Sequence, residues 1–141
     1  MSEPEVIARS VEKTHIWLNE LAVELGAEND RAGAYRVLRA FLHALRDRLT
    51  VDEAAQLAAQ LPELIRGIYY EGWVPARTPI KYRDADEFLA RIGEEAKLSG
   101  ETQASHACAA ASRVLQRHVS SGEFEDVLAM LPERLRALVS G

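Results

Sequence analysis

Leu61-Pro62-Glu63-Leu64-Ile65-Arg66 and, half a chain length further on, Leu131-Pro132-Glu133-Arg134-Leu135-Arg136 decide how the chain is read. At the offset that aligns these two segments, residues 30–69 lie over residues 100–139 without a gap. Ala34, Ala40, Leu45, Glu53 and Ala59 coincide with Ala104, Ala110, Leu115, Glu123 and Ala129, and upstream Leu18 falls on Phe88. Self-similarity over half the chain length points to one helical unit used twice. The expected fold is therefore all-α, with two pseudo-symmetric helical lobes from an internal duplication of about 70 residues. Within a single domain over 1–141, residues 1–70 form the first lobe, 71–83 a join and 84–141 the second lobe.

Local signals divide each half into helices. Ile7, Val11, Leu18, Leu21 and Leu25 recur at helical spacing and predict one buried stripe, which Gly26 is suited to end. Asn29 or Asp30 caps a second helix, where Tyr35, Leu38, Leu42, Leu45 and Leu49 form the apolar stripe. Arg36, Arg39, His43 and Arg46 fall largely on its other faces. Thr50-Val51-Asp52-Glu53 and Ser120-Ser121-Gly122-Glu123 both read as capping boxes, in which hydroxyl and carboxylate each satisfy a free N–H. Pro62 and Pro132 disfavour helix at the residue before them and suit the start of a new one. Ala104, Ala107, Cys108, Ala109, Ala110, Ala111 and Ser112 make one helix of small side chains, the kind neighbours approach closely.

Composition excludes several classes of function. Of 141 residues, 48 % are apolar and 28 % charged, values of a folded globular domain. A net charge of −5 argues against a general nucleic-acid coat or a binder of anionic membranes. One cysteine, Cys108, allows no internal disulfide and no thiolate-rich zinc site, which suits a reducing cytoplasm. The N-terminal residues lack a signal-peptide pattern, and no apolar run approaches the ~18 residues needed to span a bilayer.

The join differs in composition from all around it. Tyr69-Tyr70-Glu71-Gly72-Trp73-Val74-Pro75-Ala76-Arg77-Thr78-Pro79-Ile80-Lys81-Tyr82-Arg83 holds two prolines, three of the four tyrosines and one of the two tryptophans. Asp84 then caps the next helix, with Glu87 at the capping-box position. Tyr69, Tyr70, Trp73, Arg77, Tyr82 and Arg83 are the candidate partner-binding residues, because aromatics and arginines supply most interface hot spots. The competing reading has Trp73 and the tyrosines folded back over the seam between the lobes.

Catalytic and metal motifs are sparse. Glu12-x-x-His15 has the spacing of a carboxylate-bridged di-iron half-site, but the second copy places Ala85 where His15 sits, and Gln103-x-x-His106 does not replace it. His43 with Asp47, and His118, read as structural groups near helix ends. Cys108 reads as a small buried hydrophobe. No nucleophile elbow, zinc-protease motif or glycine-rich phosphate loop is present in the sequence. No catalytic residue, metal or cofactor is assigned.

The run Ala54-Ala55-Gln56-Leu57-Ala58-Ala59-Gln60-Leu61-Pro62-Glu63-Leu64-Ile65-Arg66, followed by Gly67-Ile68-Tyr69-Tyr70-Glu71-Gly72-Trp73, resembles a bacterial family catalogued as domain of unknown function 2267. Asp86-Glu87-Phe88-Leu89-Ala90-Arg91-Ile92 and Met130-Leu131-Pro132-Glu133-Arg134-Leu135-Arg136 extend the resemblance over nearly the whole chain. It implies a small cytoplasmic all-helical protein and carries over no activity, substrate or catalytic residue. The function expected is a non-enzymatic protein-interaction module, binding a partner or itself through residues 69–83, with monomer as the default state. The alternative is a small-ligand or nucleic-acid binder using a groove between lobes, lined by the join with Arg36, Arg39 and His43.

Overall fold

The computed structural model describes residues 3–82 and 84–140, and among them every regular element is a helix. Eight α-helices follow in order: α1 (Glu5–Glu24), α2 (Arg31–Arg46), α3 (Val51–Ala59), α4 (Glu63–Tyr70), α5 (Ala85–Ala96), α6 (Gly100–His118), α7 (Ser121–Ala129) and α8 (Glu133–Ser140). A single 3-10 turn, Pro75–Arg77, lies in the join. None of the helices is long and apolar enough to cross a membrane.

The cap chemistry places the helix starts. Asp30, Thr50, Asp84 and Ser120 each accept the N–H three residues on, at Gly33, Glu53, Glu87 and Glu123. In the Thr50 and Ser120 boxes the hydroxyl half forms, while the Glu53 and Glu123 carboxyl groups lie close to each other. The Ser120 N–H is taken by the Gln60 side-chain oxygen, 2.9 Å away. Gly26, with φ of 75°, turns the chain after α1, as a glycine can without a Cβ clash.

The arginine that follows each of the two Leu-Pro-Glu segments makes the same kind of contact. Arg66 donates to Ala58 O and Leu61 O, at 2.8 and 2.9 Å. Arg136 donates to Leu128 O and Leu131 O, both at 3.1 Å. Each guanidinium thus adds a donor to two carbonyls near the C-terminal end of the preceding helix, where positive charge is favoured; the first of each pair also accepts a backbone N–H, from Leu61 or Leu131. The bounds of α3 and α4 recur at the same sequence offset in α7 and α8.

Apolar residues of both halves meet in one core. Helix α5 packs on α2 and α6, and α6 also lies against α1 and α8. Ala104, Ala107, Cys108, Ala110, Ala111 and Ser112 are all buried, so small side chains set the close approach of these neighbours. Two stripes differ from expectation. On α1, Ile7 and Val11 are 49 % and 38 % exposed, because the buried face runs instead through Ser10, Thr14, Trp17, Leu18 and Leu21, with Ser10 Oγ accepting the Leu64 N–H at 2.8 Å. On α2, Tyr35 is exposed, whereas His43 and Arg46, expected on the polar faces, are buried.

Two substitutions test this packing. Cys108→Leu adds volume where the site is fully buried and should cost about 1–3 kcal/mol in urea unfolding. Arg66→Met keeps the apolar stem but removes the side-chain donor from Ala58 O, which retains the Leu61 N–H, and from Leu61 O, and should cost about 1 kcal/mol by the same measurement.

Candidate functional site

The join begins where α4 ends and is held by one buried cation. Arg46 is only 2 % exposed. Its Nη1 donates to Tyr69 O at 2.8 Å and Glu71 O at 2.9 Å, so the guanidinium sits on the carbonyl end of α4. Its Nε and Nη2 grip both oxygens of Asp47, at 2.7 and 3.0 Å. Asp47 carries the connection onward: its carboxylate accepts from Arg91 Nη2, and its backbone oxygen accepts the Ile80 N–H at 2.6 Å. Arg91 Nη1 reaches the Tyr82 hydroxyl at 2.7 Å, and Tyr82 packs edge-on against Phe88. Both ends of the join are therefore tied to the last turn of α2.

A second set of charges lies beside it. Arg39 binds Glu71 at 2.6 Å and Glu95 at 2.9 Å, and His43 sits between Glu95 and Ile68 O, at 2.8 and 2.7 Å. Of the three residues Arg36, Arg39 and His43 expected to line an inter-lobe groove, only Arg36 is without such a partner among the described residues. Positive charge available there for a phosphate backbone is correspondingly small.

The six predicted partner-binding residues separate into distinct environments. Tyr69 is fully buried, and its hydroxyl donates to Ala54 O at 2.9 Å; burial pushes its phenol well above the ordinary range. It is a core residue, which corrects its placement on a binding surface. Tyr82 is half-buried and engaged with Arg91. Tyr70 and Trp73 are half-buried and stacked on each other, centroids 5.2 Å apart. Arg77 is exposed, and its guanidinium has no hydrogen-bond or ion-pair partner among the described residues, its backbone N–H alone being bonded, to Val74 O. Arg83 lies outside the described residues. The Trp73 indole N–H is buried without an acceptor among the described residues. Val74, which composition alone did not single out, is 44 % exposed next to the stack.

Residues 14–138 match the model of a family described as an uncharacterized conserved protein, DUF2267. The chain belongs to this family. No curated protein matches it. A DUF2267 membership assigns no residue a role, so the join is judged on its own chemistry. The other candidates of the DUF2267 chain stand apart from the join. Glu12 and His15 are both exposed on α1. His118 stacks on Trp17, 4.7 Å between centroids, and its Nε2 meets the Glu20 carboxylate at 3.1 Å. Cys108 is buried, and desolvation pushes its thiol up to about 12, which removes thiolate chemistry near neutral pH.

The buried ion pair sets a pH dependence. Burial alone would raise the Asp47 pKa, but hydrogen bonds from Arg46 and Arg91 outweigh it and hold the carboxyl below its ordinary value. A depressed folded pKa gives stability that is present above the unfolded value and lost as pH falls through the folded one. Stability against urea should therefore fall progressively as pH drops below about 5, with a shallower slope in Asp47→Asn. Arg46→Met leaves Asp47 with Arg91 as its remaining cationic partner and strips two carbonyls of their donor, and should destabilise by about 2–4 kcal/mol at pH 7.

Proposed function

We propose that this chain is a non-enzymatic protein-interaction module whose contact surface is the outer side of the join. The observation that carries the reading is the Tyr70–Trp73 stack, half exposed beside Val74 and the unpartnered Arg77 on a turn fixed by Arg46 and Asp47. A rigid aromatic pair loses little conformational freedom on binding, so more of its contact energy appears as affinity. Tyr70 and Trp73 enter an apolar recess of the partner, and Arg77 pairs with a carboxylate at its rim. Tyr69 and Tyr82 support this surface from behind. The lone buried thiol suits a cytoplasmic setting.

Crosslinked capture from the host, read beside thermal stability, tests the reading. Arg77→Glu reverses the charge at an exposed position, so its melting temperature should stay close to wild type while capture falls roughly tenfold, about 1.4 kcal/mol. Trp73→Ala should lose capture together with some stability, and Trp73→Phe should recover part of both. Native mass spectrometry separates a foreign partner from whole multiples of the chain mass, the signature of self-association. Identical capture by wild type, Arg77→Glu and Trp73→Ala would sink the proposal.

A further inference from the structure

The two glutamates of the capping boxes meet each other. Helices α3 and α7 pack together, and Glu53 and Glu123, each three residues past its N-cap, are 6 % and 9 % exposed. Asp126, three residues along α7 and exposed, adds a third carboxylate, and one oxygen from each of the three lies within 4.8 Å of the others. One carboxyl oxygen of Glu53 and one of Glu123 are buried without a hydrogen-bond partner among the described residues. No arginine, lysine or histidine among the described residues makes an ion pair with any of the three. Burial, then Glu53, then Asp126 push the Glu123 carboxyl up to about 8.

Buried polar atoms are nearly always satisfied, so two orphaned carboxylate oxygens in one cluster call for an occupant. The positive ends of α3 and α7 favour the negative charge but reach these oxygens with no donor. A proton held between Glu53 and Glu123 would satisfy that pair but would not account for a third carboxylate oxygen, from Asp126, within 4.8 Å of both. A divalent cation takes an oxygen from all three at once and offsets two of their three charges. The donor set is oxygen alone, which favours hard cations over zinc or copper. Two ligands are fixed by packing and the third is exposed, an irregular set that suits the tolerant shell of calcium or manganese better than the strict octahedron of magnesium.

We propose that Glu53, Glu123 and Asp126 form a binding site for a hard divalent cation of the calcium or manganese class, with water completing its shell on the Asp126 side. The cation links α3 to α7, so it fastens the first half of the chain to the second at a place remote in function from the join. It departs from the expectation that the chain holds no metal. The sequence signal lies in the paired hydroxyl-x-x-Glu motifs, one in each half of the chain, but nothing in their spacing says that the two carboxyl groups converge.

Chelator-treated full-length protein at pH 8, titrated with calcium, manganese or magnesium chloride, gives the test by thermal melting and calorimetry. The melting temperature should rise with calcium or manganese and saturate, as mass action requires of a ligand bound only to the folded chain. Glu123→Gln and Asp126→Asn should weaken that response roughly tenfold or more, while Glu125→Gln on the exposed side of α7 keeps it. Glu123→Gln also relieves repulsion, so it should melt no lower than wild type in chelator, and loss of the response cannot then be loss of the fold. A wild-type protein unmoved by any of the three cations overturns the site. So does a response of equal size in Glu123→Gln. A rise in the chelated melting temperature of Glu123→Gln, with wild type indifferent to cations, would leave a shared proton as the occupant and likewise overturn it.

Discussion

Taking a guanidinium out of water costs several kcal/mol, and Arg46 at the end of α2 recovers that cost only through complete pairing. Asp47 supplies two acceptors and the carbonyl end of α4 supplies the others. A lysine at this position could not copy the arrangement, because a compact ammonium lacks the planar fork that reaches Asp47 and α4 together. The geometry of the join follows from this group. Glu71 is fixed by its backbone at Arg46 and by its side chain at Arg39, and Ile80 is fixed by the backbone of Asp47. Arg91 extends the same network to α5, so α2, α4, α5 and the join are connected through one buried pair of charges.

Where structure depends on neighbours in sequence, the residues foretell it well. Asp30, Thr50, Asp84 and Ser120 take the N-cap positions that their side chains suit, because a cap is settled within four residues. The break at Leu61-Pro62 and the small-residue face of α6 are legible for the same reason. Burial of a particular turn is not, since it depends on what lies opposite. Ile7 and Val11 have the spacing of a core stripe but no helix covering them, and Arg46 has the character of a surface residue but α4 ending above it.

The candidate site was legible in composition and not in depth. Aromatic and proline content marks the join as unlike the rest of the chain, and that segment does carry the half-exposed stack. Tyr69 and Tyr70 are adjacent, and helical geometry sends adjacent side chains about 100° apart, so one enters the core and the other its edge. A list of residue types cannot make that division. Knowing that α4 runs through Tyr70, with Ile65 and Tyr69 four residues apart on its inward face, makes it at once.

The distribution of positive charge narrows what the surface can bind. Arg39, Arg46, Arg91, Arg113 and Arg117 are engaged with carboxylates inside the molecule. Arg66 and Arg136 are engaged with helix carbonyls. Cations committed in this way cannot release counterions from a nucleic-acid backbone, so the arginine-rich look of α2 overstates its affinity for phosphate. What remains outward is a chain of net charge −5 with isolated basic groups, among them Arg77 beside an aromatic stack. Long-range attraction to a polyanion is weak from such a surface. Recognition there depends on short-range fit, in which the stack supplies apolar area and one arginine supplies direction.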